Sequence, residues 1–189
     1  MIIFILPKNS GLEICSELAK EYTGKSIRVR GEDVPLIVSS LNKQGKNAIG
    51  ITGEDLFKEF TLRNKNSQIK VIKRISWEDK NSLYGKPALC LMGTDKSDFT
   101  NLPKTLKIVI NSKYKELAKK YCTNLLECKG YRLEKIYASG ATEEFFSNGI
   151  VDLVIDIVYS GKSAKEAGLK VYDKIFESDL VILGGINEI

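Results

Sequence analysis

Histidine is missing from all 189 residues. That absence excludes Ser-His-Asp and Cys-His catalytic triads, whose general base is an imidazole. The four cysteines, Cys15, Cys90, Cys122 and Cys128, form no Cys-x-x-Cys pair. Neither a zinc site nor a disulfide framework is expected, and the thiols read as reduced and buried. No apolar stretch reaches about 18 residues, so no membrane-spanning helix is expected. The opening "MIIFILPKNS" is apolar for only a few residues and has no basic flank, which reads as a first strand rather than a secretory leader. The net charge is +5, yet no basic block of five or more occurs and aromatic residues do not alternate with basic ones, so no nucleic-acid partner is expected. Chemistry is left to carboxylates, lysine, arginine, backbone amides or a metal held by oxygen ligands.

What is present is an alternation of strand and helix signals, which predicts an α/β architecture. "IIFIL" reads as a strand and "SGLEICSELAKEY" as a helix with a Ser10/Glu13 capping box. "SIRVR" is a short strand. "DVPLIVSSLNKQG" is a helix with Asp33 as N-cap and Gly45 just past its end. "AIGIT" and then "GEDLFKEF" repeat the strand–helix order, and "QIKVIKRISW" and "PALCLMG" read as strands separated by a turn at Gly85 and Pro87. "TDKSDFTNLPKT" is polar and contains a proline, so a domain crossing is expected there. The expected division is residues 1–93 plus 171–189 for one domain and 94–170 for the other. The second series runs "LKIVI", "KYKELAKKYC", "RLEKIYA", "ATEEFFSNG" with Thr142 as cap, and "IVDLVIDIVY", the most apolar strand of the chain; "KVYDKIFESDLVILGG" closes it as strand. No internal sequence repeat is visible.

The apolar strand runs into Gly161-Lys162-Ser163, the last three residues of a nucleotide-binding Gly-x-x-x-x-Gly-Lys-Ser loop. The first glycine of that signature falls on Asp156, so the signature fails. A strand, a loop of small residues and a helix start with a Ser163/Glu166 capping box nonetheless predict a cup of amides and hydroxyls suited to an anion. Gly161 permits close approach and Lys162 adds charge.

"NGIVDLVIDIVYSGKSAKEAGL" resembles the phosphoribosyl-diphosphate loop of the ATP phosphoribosyltransferases of histidine biosynthesis. Gly149, Asp152, Asp156, Ile157, Val158, Gly161, Gly168 and Leu169 match the family pattern, and Ser160 and Ser163 stand for its two threonines. "ILPK", "VRGEDVPLIV", "NAIGITGEDLFKE" and "ASGATEEF" are similar to further family segments, in the family's order. The resemblance implies a two-lobed, periplasmic-binding-protein-like (type II) fold with the active site in the interdomain cleft. It implies a cytoplasmic glycosyltransferase that condenses ATP with 5-phosphoribosyl 1-diphosphate, releasing pyrophosphate, with Mg²⁺. The chain stops after "VILGGINEI", so it resembles the short form, a homodimer paired in many cases with a separate regulatory subunit related to histidyl-tRNA synthetases. The alternative from another class is a non-enzymatic bilobed protein that binds a small anion.

The resemblance also implies roles. Ser160, Gly161, Lys162 and Ser163 would hold the ribose 5-phosphate. Asp156 and Asp152 flank the strand, for ribose hydroxyls or magnesium-bound water. Lys8, in a βα loop, and Arg30 would meet the diphosphate. Glu54, Asp55 and, by similar reasoning, Glu143 would serve ATP, as acceptors near the adenine amino group.

Overall fold

The computed structural model describes residues 2–8 and 24–185. The expected helix "SGLEICSELAKEY" lies outside the described residues. The rest form two compact units, residues 1–76 with 179–189 and residues 77–178, each built on its own five-stranded sheet.

In the first unit the sheet order is β2-β1-β3-β10-β4, made of β1 (Ile2–Pro7), β2 (Gly24–Val29), β3 (Ala48–Gly53), β4 (Ile69–Ile75) and β10 (Leu180–Gly185). β1 pairs in parallel with β2 and β3, and β10 runs antiparallel between β3 and β4. Helices α1 (Val34–Lys43) and α2 (Glu54–Arg63) follow β2 and β3. Strands covered on both faces read as apolar runs rather than alternations, and β3 is buried along its whole length. Val34 and Val38 of α1 pack with Ile5, Val181 and Leu183. Burying such a side chain fully contributes about 1.5–3 kcal/mol. Gly50 lets α1 lie directly on β3, because a Cβ there would sit 2.6 Å from both the Val34 Cγ1 and Val38 Cγ2 atoms.

The second unit repeats the plan: its order is β7-β6-β8-β5-β9, from β5 (Ala88–Thr94), β6 (Thr105–Asn111), β7 (Arg132–Ala138), β8 (Leu153–Val158) and β9 (Leu169–Glu177). β6, β7 and β8 are parallel, and β5 runs antiparallel between β8 and β9. Helices α3 (Lys115–Tyr121), α4 (Thr142–Ser147) and α5 (Lys162–Glu166) connect them. Two sheets with one topology, second-first-third-antiparallel-return, come from a chain without a sequence repeat. The two α/β lobes expected of a type II fold are both present.

The boundaries differ from those expected. Division at 93/94 and 170/171 would leave β5 and the greater part of β9 in the first domain, yet β5 pairs with β8 and β9 within the second sheet. The crossings are at 76/77 and 178/179. The polar, proline-bearing stretch after β5 is a connection inside the second unit. The expected return of the C-terminal strand to the first sheet holds for β10.

Asp33 is the N-cap residue of α1 as expected, though its side chain makes no cap bond. Other caps differ: Ala141, not Thr142, is the N-cap residue of α4. Gly161, not Ser163, is the N-cap residue of α5. Both Thr142 and Ser163 spend their hydroxyls elsewhere, with consequences for the site.

Candidate functional site

Parallel pairing sets the C-terminal ends of β6, β7 and β8 side by side at one edge of the second sheet. In open α/β sheets this is the edge at which ligands gather. Asn111 ends β6, the turn 139–141 leads from β7 into α4, and the loop 159–161 leads from β8 into α5. Asp156, near the end of β8, ties these three connections together and is only 8% exposed. Its carboxylate accepts from Asn111 Nδ2 at 2.9 and 3.1 Å, from Thr142 Oγ1 at 2.6 Å and from the Ile157 amide at 2.7 Å. A carboxylate has about four acceptor positions, and these contacts fill them. Burial pushes the Asp156 pKa up, opposed by the Thr142, Asn111 and Ile157 bonds and reinforced by nearby Glu143. Expected from the sequence to meet substrate, Asp156 in the structure positions the loops around it, because its oxygens are already held by protein donors.

The loop after β8 is open to solvent at Ser160, Lys162 and Ser163. Gly161 has φ +73°, in the region that favours glycine, and a Cβ there would meet Leu83 Cδ2 at 3.2 Å. The first helical bond of α5 runs from the Lys165 amide to the Gly161 carbonyl at 3.0 Å, so the amides from Gly161 to Ala164 stand outside the helical ladder. Tyr159 anchors the loop: its carbonyl accepts from the Leu83 amide at 2.7 Å, and its hydroxyl donates to the Asp79 carboxylate. Lys162 is 80% exposed and reaches Glu166 at 3.8 Å, a surface pair of little energetic weight. The Ser163 hydroxyl donates to Glu143 Oε1 at 2.9 Å. Glu143 is delivered by the first turn of α4, entered through Ala141 in the left-handed region at φ +49°. Amides, two hydroxyls and an ammonium thus stand on one loop, the donor types that bind anions in general.

Asp152 does not belong to this group. It precedes β8, at the opposite end of that strand, where its carboxylate accepts from the Lys107 amide at 2.8 Å and its own amide donates to the Lys107 carbonyl. A six-residue strand is roughly 20 Å long, which separates Asp152 from the loop.

The first unit has its own edge of the same kind. The Lys8 amide donates to the Val29 carbonyl at 2.7 Å, and Thr52 Oγ1 donates to the Gly31 carbonyl at 2.8 Å. These bonds hold the ends of β1, β2 and β3 together, so that Lys8, Arg30 and Glu54 leave one edge. Lys8 and Arg30 are exposed. Glu54 accepts from Arg74 Nε at 3.1 Å and from its terminal nitrogen at 2.7 Å, and that pairing raises the Arg74 pKa. Asp55 is 5% exposed. Of the two acids expected to serve ATP from this unit, one is buried and the other is engaged with a basic partner. A groove of ≈ 440 Å³ in this unit, lined by residues such as Ser39, Lys43, Phe60 and Arg63, contains none of these edge residues.

Asn111, Thr142 and Arg74 were not read as site residues from sequence. Asn111 carried one signal, a polar residue closing the run "LKIVIN". Thr142 has the sequence context of a cap, and nothing local marks Arg74.

The fold defines a class: an α/β protein of the two-lobed, periplasmic-binding-protein kind, here with a donor-rich loop at the end of a buried strand. A family model described as HisG, ATP phosphoribosyltransferase, matches residues 30–186. An ATP phosphoribosyltransferase of Sulfolobus acidocaldarius is 32% identical over 160 residues, covering 84% of this chain and 49% of that protein. One from Prochlorococcus marinus is 29% identical over 177 residues, covering 92% and 72%. Among solved structures, the ATP phosphoribosyl transferase (HisG:HisZ) complex from Thermotoga maritima gives a TM-score of 0.72 at 21% identity, covering 98% of this chain and 88% of that one. The alkanesulfonate-binding protein SsuA from Xanthomonas axonopodis pv. citri gives 0.55 at 15% identity, covering 99% and 65%. The chain belongs to the ATP phosphoribosyltransferase (HisG) family. It spans about half the length of the Sulfolobus relative.

Proposed function

We propose that this chain joins N1 of the adenine of ATP to C1 of the ribose of 5-phosphoribosyl 1-diphosphate. The N1 lone pair forms the new C–N bond, the C1–O bond to the diphosphate breaks, and its electron pair leaves with pyrophosphate. The proton lost from the ribosylated adenine goes to a carboxylate or to solvent. The observation that carries the proposal is the family match across residues 30–186, which includes the loop after β8.

In this reading the amides and hydroxyls of Ser160, Gly161 and Ser163, with the Lys162 ammonium, hold the 5-phosphate. Lys8 and Arg30 contribute positive charge toward the diphosphate, where negative charge develops as the bond breaks. Glu54, once released by Arg74, is the acid proposed for the adenine amino group.

Magnesium commonly binds mainly through substrate phosphates with one or two carboxylates. Glu143 is the carboxylate of the loop region suited to join it, since Asp156 is fully bonded. Magnesium would supply charge neutralisation at the leaving group.

We further propose that the chain forms a cytoplasmic homodimer and works with a HisZ-like regulatory subunit; the likeness to the HisG:HisZ complex of Thermotoga maritima supports the last of these. No helix among the described residues is long and apolar enough to cross a membrane.

The test mixes the protein with ATP, Mg²⁺ and 5-phosphoribosyl 1-diphosphate, with and without a HisZ-like subunit. Release of pyrophosphate together with the ultraviolet change of N1-ribosylated adenine supports the transferase. Tight anion binding with neither signal under either condition supports the second reading, a non-enzymatic anion-binding protein.

A further inference from the structure

The contact between α4 and the loop has a chemical peculiarity. Ser163 lies on the loop proposed to hold a phosphoryl group, and its hydroxyl already donates to a carboxylate, Glu143 Oε1, at 2.9 Å. The other Glu143 oxygen lies 3.5 Å from Thr142 Oγ1, whose proton goes to Asp156 at 2.6 Å. Lys162 reaches Glu166 rather than Glu143 among the ion pairs of the described residues. The Ser163 bond is therefore the short hydrogen bond that the described residues make to the Glu143 carboxylate.

A serine hydroxyl has one proton to donate. It cannot serve Glu143 and a phosphoryl oxygen at once. An anion that takes the Ser163 proton leaves Glu143 without its donor and places a second negative charge within a few ångströms of it. Both effects oppose binding, and both depend on what else the ligand brings. A ligand carrying a hydroxyl donor or an associated cation can restore a partner to Glu143, whereas bare inorganic phosphate in its dianionic form puts only negative charge there.

We infer that Glu143 is a specificity-determining residue: by holding the Ser163 hydroxyl it makes the loop reject bare inorganic phosphate in favour of phosphorylated ligands that bring their own donor or cation to this carboxylate. The inference rests on the proposed phosphate-holding role of the loop. It assigns to α4 a discriminating part of the site in addition to any part in the reaction. Rejecting competitors through an uncompensated charge is a common route to specificity. It suits a protein proposed to hold a sugar phosphate among free phosphate and pyrophosphate.

The experiment titrates inorganic phosphate and, separately, ribose 5-phosphate into the wild type, Glu143→Gln, Ser163→Ala and the double variant, by calorimetry or by residue-resolved NMR. Circular dichroism checks that each variant is folded. Glu143→Gln is expected to tighten inorganic phosphate by about tenfold, the scale of removing one nearby like charge and replacing a charged acceptor of the Ser163 proton by a weaker neutral one. In the Ser163→Ala background the same change should gain distinctly less, because the contested hydroxyl is gone. Ribose 5-phosphate should gain less than phosphate from Glu143→Gln, or lose. An unchanged or weakened phosphate affinity in Glu143→Gln overturns the inference, as does an equal gain for both ligands. Gly161→Val separates this from failure of the underlying reading. If Gly161→Val abolishes phosphate binding while Glu143→Gln changes nothing, only the role of Glu143 falls. If Gly161→Val leaves phosphate binding intact, the loop is not the receptor and both fall.

Discussion

The Thr142 hydroxyl donates to the Asp156 carboxylate at 2.6 Å, joining the start of α4 to the end of β8. Asn111 joins the end of β6 to the same carboxylate. One buried acid thus fixes the relative positions of three connections, and the loop that follows β8 inherits its geometry from it.

The first prediction concerns pH. Burial raises the Asp156 pKa, and the Thr142 bond opposes the rise. A carboxyl whose folded pKa lies above its unfolded value binds its proton more tightly when folded. Its contribution to stability is therefore fully present below the unfolded pKa of about 3.9 and is lost as pH rises through the folded pKa. Thr142→Val removes a bond to the ionised form, so the folded pKa climbs further and the loss extends to higher pH. Urea unfolding should show the variant losing stability relative to wild type as pH rises from about 4 to 7, by on the order of 1–3 kcal/mol in total. Thr142→Ser, which keeps the hydroxyl, should restore most of it. A stability gap that narrows toward neutral pH would refute the role given to this bond.

A second prediction separates backbone from charge at the loop. Lys162 is solvent-exposed and shares its position with amides and hydroxyls, so Lys162→Ala should weaken ribose-phosphate binding only severalfold, about 1 kcal/mol. Gly161→Val forces a branched residue into φ +73° against Leu83. It should cost roughly 1–3 kcal/mol locally and lower the affinity more than the lysine change does. Isothermal titration with both variants checks the order; a larger loss from Lys162→Ala would show that charge, not the shape of the turn, dominates.

A third prediction concerns the thiols. Cys90 and Cys122 are buried, and burial pushes their pKa up to about 12 and about 11. The thiolate is the reactive form, so neither should label at neutral pH in the folded protein. Cys128 is exposed and should label readily. Peptide-resolved mass spectrometry after brief alkylation, with and without denaturant, reads all three. Rapid labelling of Cys90 in the native protein would contradict its placement in the core. Cys15 lies outside the described residues.

Much of the strand–helix order was legible because it depends on local pattern. "RLEKIYA" coincides with β7 from Arg132 to Ala138, bounded by turn residues at both ends. What failed depends on distant partners. The domain crossing was misplaced because Pro103 and its polar neighbours look like a linker, while the pairing that puts β5 in the second sheet is with β8, some sixty residues on. Asp156 was found by motif, but its role was not, because Asn111 lies 45 positions away in sequence and Thr142 lies 14. Thr142 and Ser163 lie in the first turns of their helices, one and two residues past the N-cap positions held by Ala141 and Gly161, where their sequence context resembles a cap. The tertiary structure offered each a carboxylate instead, at Asp156 and Glu143.

The place of β10 between β3 and β4 bears on how the protein is made. The second unit draws on residues 77–178 alone, one unbroken stretch of chain. The first sheet lacks an interior strand until residues 180–185 emerge. β3 and β4 therefore complete their pairing only with a strand synthesised after the whole of the second unit.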